Sequence, residues 1–233
     1  MRSEMIISDL GRVPYGRALA LQEALNRRVQ GGSWPDTLLL VEHPAVITLG
    51  RSSSTSHIIA SRERLARLGI DVVRVGRGGE VTYHGPGQLV GYAIRRVGRA
   101  VHAHVEGMAD GLAAYLTGLG IDARWEQQTP GLWVGDAKIA AVGVEVRRGV
   151  SLHGFALNLS PNMEHFQLIL PCGLSRPVSS VHGMLQDAPS VARAGRTVGE
   201  AVLSAWGVQG QEVSASDVWA VIEHEKTTEE NVI

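Results

Sequence analysis

Two β-rich runs, residues 138–146 and 150–159, are separated only by Arg147-Arg148-Gly149. A short loop containing glycine between two apolar-alternating runs is a hairpin signal. A hairpin commits the chain to antiparallel neighbours, which a doubly wound parallel sheet does not supply. With the loop centred on Arg148, residues whose numbers sum to about 297 lie opposite each other. Ala141-Val142-Gly143 then faces Gly154-Phe155-Ala156. Small residues opposed on two strands leave a groove with room for a linear apolar ligand; the alternative is close packing of a helix on a small-residue patch.

The rest of the chain alternates element types. Residues 5–8 read as a short edge strand. Pro14 fits the opening turn of a helix whose apolar face is Ala18, Leu21, Ala24, Leu25 and Val29, stopped at Gly31-Gly32. Runs 37–41 and 46–49 are β-rich, with Glu42-His43-Pro44-Ala45 as a hairpin or corner between them. A short helix over 62–68 closes at Gly69, and strands are expected over 71–75 and 88–95. A long amphipathic helix covers 101–119, with further helices near 198–206 and 215–224. The expected fold class is α+β: a mixed, largely antiparallel β-sheet flanked by helices. One catalytic domain is expected over 1–213, followed over 214–233 by a C-terminal helix and a polar, frayed tail.

At 233 residues, 44% hydrophobic and 19% charged, the chain can bury a core without staples. Its lone cysteine, Cys172, rules out an intramolecular disulfide and a multi-cysteine zinc site. A formal charge of −1 excludes a general nucleic-acid binder held by a basic surface. Charges at Glu4 and Asp9 leave no apolar signal-peptide core, and no run approaches a membrane span. A cytoplasmic protein with neither nucleic-acid nor membrane partners is expected. The arginine clusters at 27–28, 95–99 and 147–148 are local basic patches.

Three segments carry chemistry. The densest is Arg77-Gly78-Gly79-Glu80-Val81-Thr82-Tyr83-His84-Gly85-Pro86-Gly87-Gln88, whose four glycines and proline argue against a packed strand. It lacks the Gly-Lys-Ser/Thr ending of a P-loop and the spacing of a dinucleotide fingerprint. The bland alternative is a glycine-rich surface turn with an incidental His84. Cys172, between Pro171 and Gly173, sits where a turn would present its sulfur to a cleft, although a lone cysteine is more often a small buried hydrophobe. Lys138 is one of only two lysines against twenty arginines, and opens an apolar strand; snorkelling at a strand end is its ordinary explanation.

At these segments the chain resembles the lipoyl(octanoyl) transferase family, the octanoyl-acyl-carrier-protein:protein transferases of lipoate biosynthesis. The resemblance rests on the segment 77–88, on Lys138-Ile-Ala-Ala-Val-Gly143, on His153-Gly-Phe-Ala-Leu-Asn-Leu159 and on Pro171-Cys-Gly173, in the family's order over about residues 5–210. It implies a fold like the catalytic domain of biotin and lipoate protein ligases. It implies an acyl-enzyme thioester on Cys172, with Lys138 as its partner and acid/base. The acyl group would come from octanoyl-acyl carrier protein and pass to a lysine on lipoyl domains, such as those of 2-oxoacid dehydrogenase complexes or the glycine cleavage H protein. No cofactor, no metal and a monomer follow from the same resemblance. Residues Arg77, Gly78, Gly79, Glu80, Val81, Thr82, Tyr83 and His84, with Ala141, Val142, Gly143, Gly154, Phe155 and Ala156, would line the acyl site. His84 and His153 would orient the substrate or polarise its carbonyl, and the arginines would form a basic rim steering the acidic carrier.

Rival expectations are an ATP-dependent lipoate or biotin ligase of the same fold, a cysteine hydrolase using His84 or His153 as base, and a non-catalytic acyl-binding protein.

Overall fold

The computed structural model describes residues 4–170, 176–185 and 187–230. Strand β1 (Glu4–Arg12) leads into helix α1 (Tyr15–Gly31), whose N-cap is Pro14 and whose left-handed C-cap is Gly32. Proline costs nothing where the first helical N–H groups are unpaired, and glycine tolerates φ +72 at the stop. The face buried by α1 includes Ala18, Leu21, Ala24, Leu25 and Val29, as its 3.6-residue periodicity dictates.

The chain then builds β2 (Thr37–Glu42), β3 (Val46–Leu49), α2 (Arg62–Arg67), β4 (Asp71–Arg74), β5 (Val81–His84), β6 (Gln88–Ile94) and α3 (Val101–Gly118). Next come β7 (Arg124–Glu126), β8 (Gly131–Val134), β9 (Ala137–Arg147), β10 (Val150–Asn158), α4 (Val191–Ala205), β11 (Gln209–Glu212) and α5 (Ala215–Glu230). The main sheet has eight strands in the order β11-β1-β2-β6-β10-β9-β8-β7, and a small sheet has the order β4-β3-β5. Only β1 pairs in parallel in the main sheet, with β2 and β11; its other pairings are antiparallel. This is the mixed, largely antiparallel α+β fold.

Helices α3 and α4 cover one face of the main sheet around Met108, Leu112, Val198 and Val202. Helices α1 and α5 cover the other, with Leu21, Leu25, Val218 and Val221 buried. Tyr83, Ile47, Leu49 and Phe166 belong to a third cluster on the small sheet.

Several local expectations change. Residues 5–8 lie in a strand one place in from the edge, because β11 adds beyond it. Strand β11 reads Gln-Gly-Gln-Glu and is fully exposed, so it carries no hydrophobic alternation to betray it. Segment 42–45 is a corner and not a hairpin: β2 belongs to the main sheet and β3 to the small one. Residues 81–84, inside the glycine-rich segment, are a packed strand after all, paired antiparallel with β3. The glycines stand outside it. Gly85 to Gly87 return the chain to the main sheet, and the Gly87 N–H donates to Glu42 Oε1 at 2.7 Å. Both sheet crossings are thereby tied together. Helix α4 starts earlier than expected, where the Ser190 hydroxyl caps Arg193 N. Helix α5 runs on to Glu230, past the expected end near residue 224. Among the described residues no helix is long and apolar enough to cross a membrane.

Candidate active site

The β9–β10 hairpin has the expected register: Ala141 faces Ala156, Val142 faces Phe155 and Gly143 faces Gly154. Its turn needs a positive φ at Arg148 (49°) and Gly149 (79°). Against the end of β9 lies the glycine-rich loop, with the Gly78 N–H donating to the Val144 carbonyl at 3.0 Å. Between them opens a cavity of about 350 Å³, in the size range of small-ligand sites. Residues 77–82, His84, Lys138, 141–143 and 153–156 all line it.

Tyr83 does not. Its ring is buried behind the lining, packed against Phe166 with centroids 5.3 Å apart, and its hydroxyl lies 2.8 Å from His165 Nδ1. The cavity also takes Tyr15, Tyr92, Val105 and Trp125, which sequence reasoning missed, and Gln88 and Asn158, which lie in the motifs of the resemblance without being assigned to the site. They come from five separate elements, and no spacing in the chain links them.

Arg77 and His84 on the wall are held by hydrogen bonds, whereas neither ring nitrogen of His153 has a hydrogen-bond partner among the described residues. The Arg77 guanidinium donates to the Thr48 carbonyl at 2.9 Å and to Thr48 Oγ1 at 2.7 Å. His84 stacks on Tyr15 at 6.0 Å, and burial, reinforced by the charges of His43 and Arg77, pushes its pKa down to about 3. His153 is held with φ 61°, a conformation costly for a residue with a Cβ, and burial with the nearby Arg77 charge brings its pKa to about 4. Both imidazoles are neutral at pH 7. Behind the wall the buried His43 donates from Nδ1 to the Val13 carbonyl at 2.6 Å, so it accepts from the Tyr92 hydroxyl at 2.6 Å.

Lys138 enters where the β8–β9 register shifts, opposite Trp133. Its Nζ lies 4.9 Å from the Trp133 ring centroid and donates to the Pro130 carbonyl at 3.3 Å. Gly131 makes room for the lysine stem, since a Cβ there would stand 2.9 Å from Lys138 Cε. Arg176 covers the same indole at 3.5 Å and bonds Glu126 at 2.7 and 3.0 Å. These bonds, and the Arg176 charge, hold the Glu126 carboxyl below the ordinary carboxylate range.

Cys172 lies outside the described residues. The chain on either side of it is anchored: the Leu170 N–H donates to the His57 carbonyl at 2.8 Å, and the Lys138 N–H donates to the Pro177 carbonyl at 2.9 Å. The Ser179 N–H returns to the Lys138 carbonyl at 2.9 Å. Among the described residues no group of three or more His, Cys, Asp or Glu could hold a metal ion.

The arginine clusters meet, but elsewhere. Gln30 donates to the Arg147 carbonyl at 3.1 Å, Arg96 donates to the Val29 carbonyl, and Gly98 N–H donates to the Gly149 carbonyl at 3.0 Å. This basic end of the β9–β10 hairpin stands about 30 Å along β9 from Lys138, so the arginines do not form a rim around the lysine.

A mixed sheet whose central hairpin is hollowed by small residues, with a lysine at one end of the hollow, forms a cavity with room for a slim apolar ligand. The family model for the lipoyl protein ligase A/B catalytic domain matches residues 14–219. An octanoyltransferase of Solibacter usitatus is 46% identical over 178 residues, 75% of this chain and 81% of that protein. One of Alkaliphilus metalliredigens is 45% identical over 184 residues, 77% and 84% of the respective chains. Among solved structures, a bipartite lipoate protein ligase from Thermoplasma acidophilum shares the fold with a TM-score of 0.78 at 18% identity, covering 95% of this chain and 91% of that one. Lipoate-protein ligase A bound with ATP gives 0.76 at 18%, covering 96% and 94%. The chain belongs to the lipoyl protein ligase A/B catalytic domain family and, with the octanoyltransferases it resembles, is an acyltransferase.

Proposed function

We propose that this acyltransferase moves octanoyl from an acyl carrier protein thioester to Cys172 and then to the ε-amino group of a lysine on a lipoyl domain. In the first step the Cys172 thiolate attacks the thioester carbonyl. A C–S bond to cysteine forms, the C–S bond to the carrier breaks, and the leaving carrier thiolate takes the proton of the Lys138 ammonium, which becomes a neutral amine. In the second, a neutral lysine amine attacks the acyl-cysteine, an amide forms, the cysteine sulfur leaves, and the amine's proton passes to Lys138. Thioester exchange followed by amide formation runs downhill without ATP. An ammonium near sulfur favours the thiolate, and the same group, once neutral, serves as base.

The observation that carries this reading is the pairing of Lys138 with residues 177–179. Pro177 is five residues beyond Cys172, so the chain from that anchor spans at most about 18 Å. The apolar hollow beside Lys138 suits an eight-carbon chain, roughly 9 Å when extended. Acceptors of this chemistry are lipoyl domains such as those of 2-oxoacid dehydrogenase complexes and the glycine cleavage H protein. No resident cofactor takes part.

The test is intact mass after incubation with octanoyl-acyl carrier protein, without ATP, for the wild type and Cys172→Ser. A hydroxylamine-labile octanoyl adduct on the wild type alone, passing to added lipoyl domain, is the expected result. Modification of the lipoyl domain only when ATP and free octanoate are present would overturn the transfer reading in favour of a ligase.

A further inference from the structure

Gln88 and Asn158 are paired across β6 and β10, and both are buried. Gln88 Nε2 donates to the Tyr83 carbonyl at 3.2 Å and to Asn158 Oδ1 at 2.8 Å. Asn158 Nδ2 donates to the Ser179 carbonyl at 3.0 Å, and the Asn158 carbonyl accepts from Val181 N–H at 2.9 Å. His84 Nδ1 lies 2.6 Å from Gln88 Oε1.

These contacts have one consistent direction. A backbone carbonyl can only accept, so the Tyr83 and Ser179 carbonyls fix which end of each amide is nitrogen. Gln88 Oε1 is left as the acceptor facing His84, and His84 therefore carries its proton on Nδ1. On the other edge of the ring, Arg77 Nε and Nη2 donate to Thr48 Oγ1 at 3.3 and 2.7 Å. The Thr48 proton then points at His84 Nε2, 3.5 Å away. His84 thus offers no proton to a substrate carbonyl. It is a link in an oriented chain that runs along the cavity wall from Arg77 to Ser179, the residue whose N–H holds the Lys138 carbonyl.

We propose that Asn158 is a positioning residue for the acyl transfer: together with the Tyr83 carbonyl it holds the Gln88 amide whose oxygen sets the tautomer of His84, and at its other end it anchors Ser179, where residues 177–179 pair with Lys138. The proposal rests on the transfer reading above for its kinetic half, and stands on the hydrogen-bond geometry alone for its tautomer half. A conserved volume with a reversed polarity separates the two ends. In Asn158→Asp the acceptor for Gln88 remains, but an oxygen replaces the N–H that faces Ser179. In Asn158→Ala both links are lost.

The experiment combines ¹⁵N NMR of the His84 ring with the rate of octanoyl adduct formation on Cys172. The wild type is expected to show the Nδ1–H tautomer, Asn158→Asp to keep it, and Asn158→Ala to give a mixture. Both variants should acylate about tenfold or more slowly, the cost of an unsatisfied buried polar group, with KM for octanoyl-acyl carrier protein within about twofold. A merely structural role would leave the tautomer untouched and would not split kcat from KM. Acylation within about twofold of wild type in both variants, or an Nε2–H tautomer in the wild type, overturns the proposal. Should Asn158→Ala not fold, Gln88→Glu serves. It keeps the acceptor for His84 but sets an oxygen against Asn158 Oδ1, and the same slowing is expected. If the wild type forms no adduct, the transfer reading fails by itself. The tautomer measurement, made without substrate, then decides the Asn158 proposal: an unchanged tautomer in Asn158→Ala rejects it.

Discussion

Gly143 and Gly154 face each other across β9 and β10, yet each is crowded from a different side. A Cβ on Gly143 would stand 3.2 Å from the Gly78 carbonyl of the glycine-rich loop, whereas one on Gly154 would stand 2.3 Å from the Gly91 carbonyl of β6. The first glycine fits a loop to the cavity. The second lets two central strands pair at all. Gly154→Ala should therefore lose about 1–3 kcal/mol through forced strand displacement, and Gly143→Ala distinctly less. In thermal unfolding a chain of this size shifts about 2–4 °C per kcal/mol, and the reverse order of midpoints would contradict the assignment.

The proposed transfer gives Lys138 two separable tasks, supplying charge and accepting a proton. Lys138→Met is expected to slow acylation of Cys172 by about 10²-fold or more and to move its alkylation by iodoacetamide to higher pH. Lys138→Arg retains the positive charge but never becomes a base at working pH. Its alkylation profile should stay near wild type while transfer to the lipoyl domain is lost. Equal losses in both variants would argue against the base role.

His104 makes acid stability testable. It is buried, stacked on Trp206 at 5.1 Å, and burial followed by the Arg95 charge lowers its pKa to about 4. The folded state therefore resists a proton that the unfolded chain accepts from about pH 6.5 downward. Stability is full above 6.5 and is lost as pH falls toward about 4, since the unfolded state binds more protons in that window. His104→Phe, which cannot titrate, should lose less stability than wild type between pH 7.5 and pH 5, by about 2 kcal/mol in denaturant titrations. Parallel losses in the two proteins would rule out His104 as a contributor.

Gly87 and Gly11 provide a controlled pair. Both have positive φ, +87 and +65, but only Gly87 is crowded, with a Cβ position 2.3 Å from the Ser160 carbonyl. Gly11→Ala should cost about 1–2 kcal/mol, the left-handed penalty alone. Gly87→Ala should cost more, because it also displaces the crossing that returns the chain to the main sheet. Equilibrium unfolding of both variants checks the ranking.

Local pattern carried much of this molecule. The alternation around Arg147-Arg148-Gly149 gives the β9–β10 register residue by residue, and with it the small-residue hollow of the cavity. The apolar stripe and stop of α1 follow in the same way from periodicity and from Pro14 and Gly32. Each of these depends on neighbours in the chain, where spacing alone decides which face a side chain takes. What tertiary structure decided is where distant segments meet. The exposed β11 has no pattern of its own and exists because β1 offers it an edge. Strand β5 lies within a glycine-rich segment and pairs with β3, with Tyr83 buried behind the cavity lining and His84 in it. The chain Arg77–Thr48–His84–Gln88–Asn158–Ser179 joins residues up to 70 positions apart, as for Gln88 and Asn158. Its order comes from burial, since polar groups removed from water must find partners wherever the packed sheets bring them, and no sequence spacing records that choice.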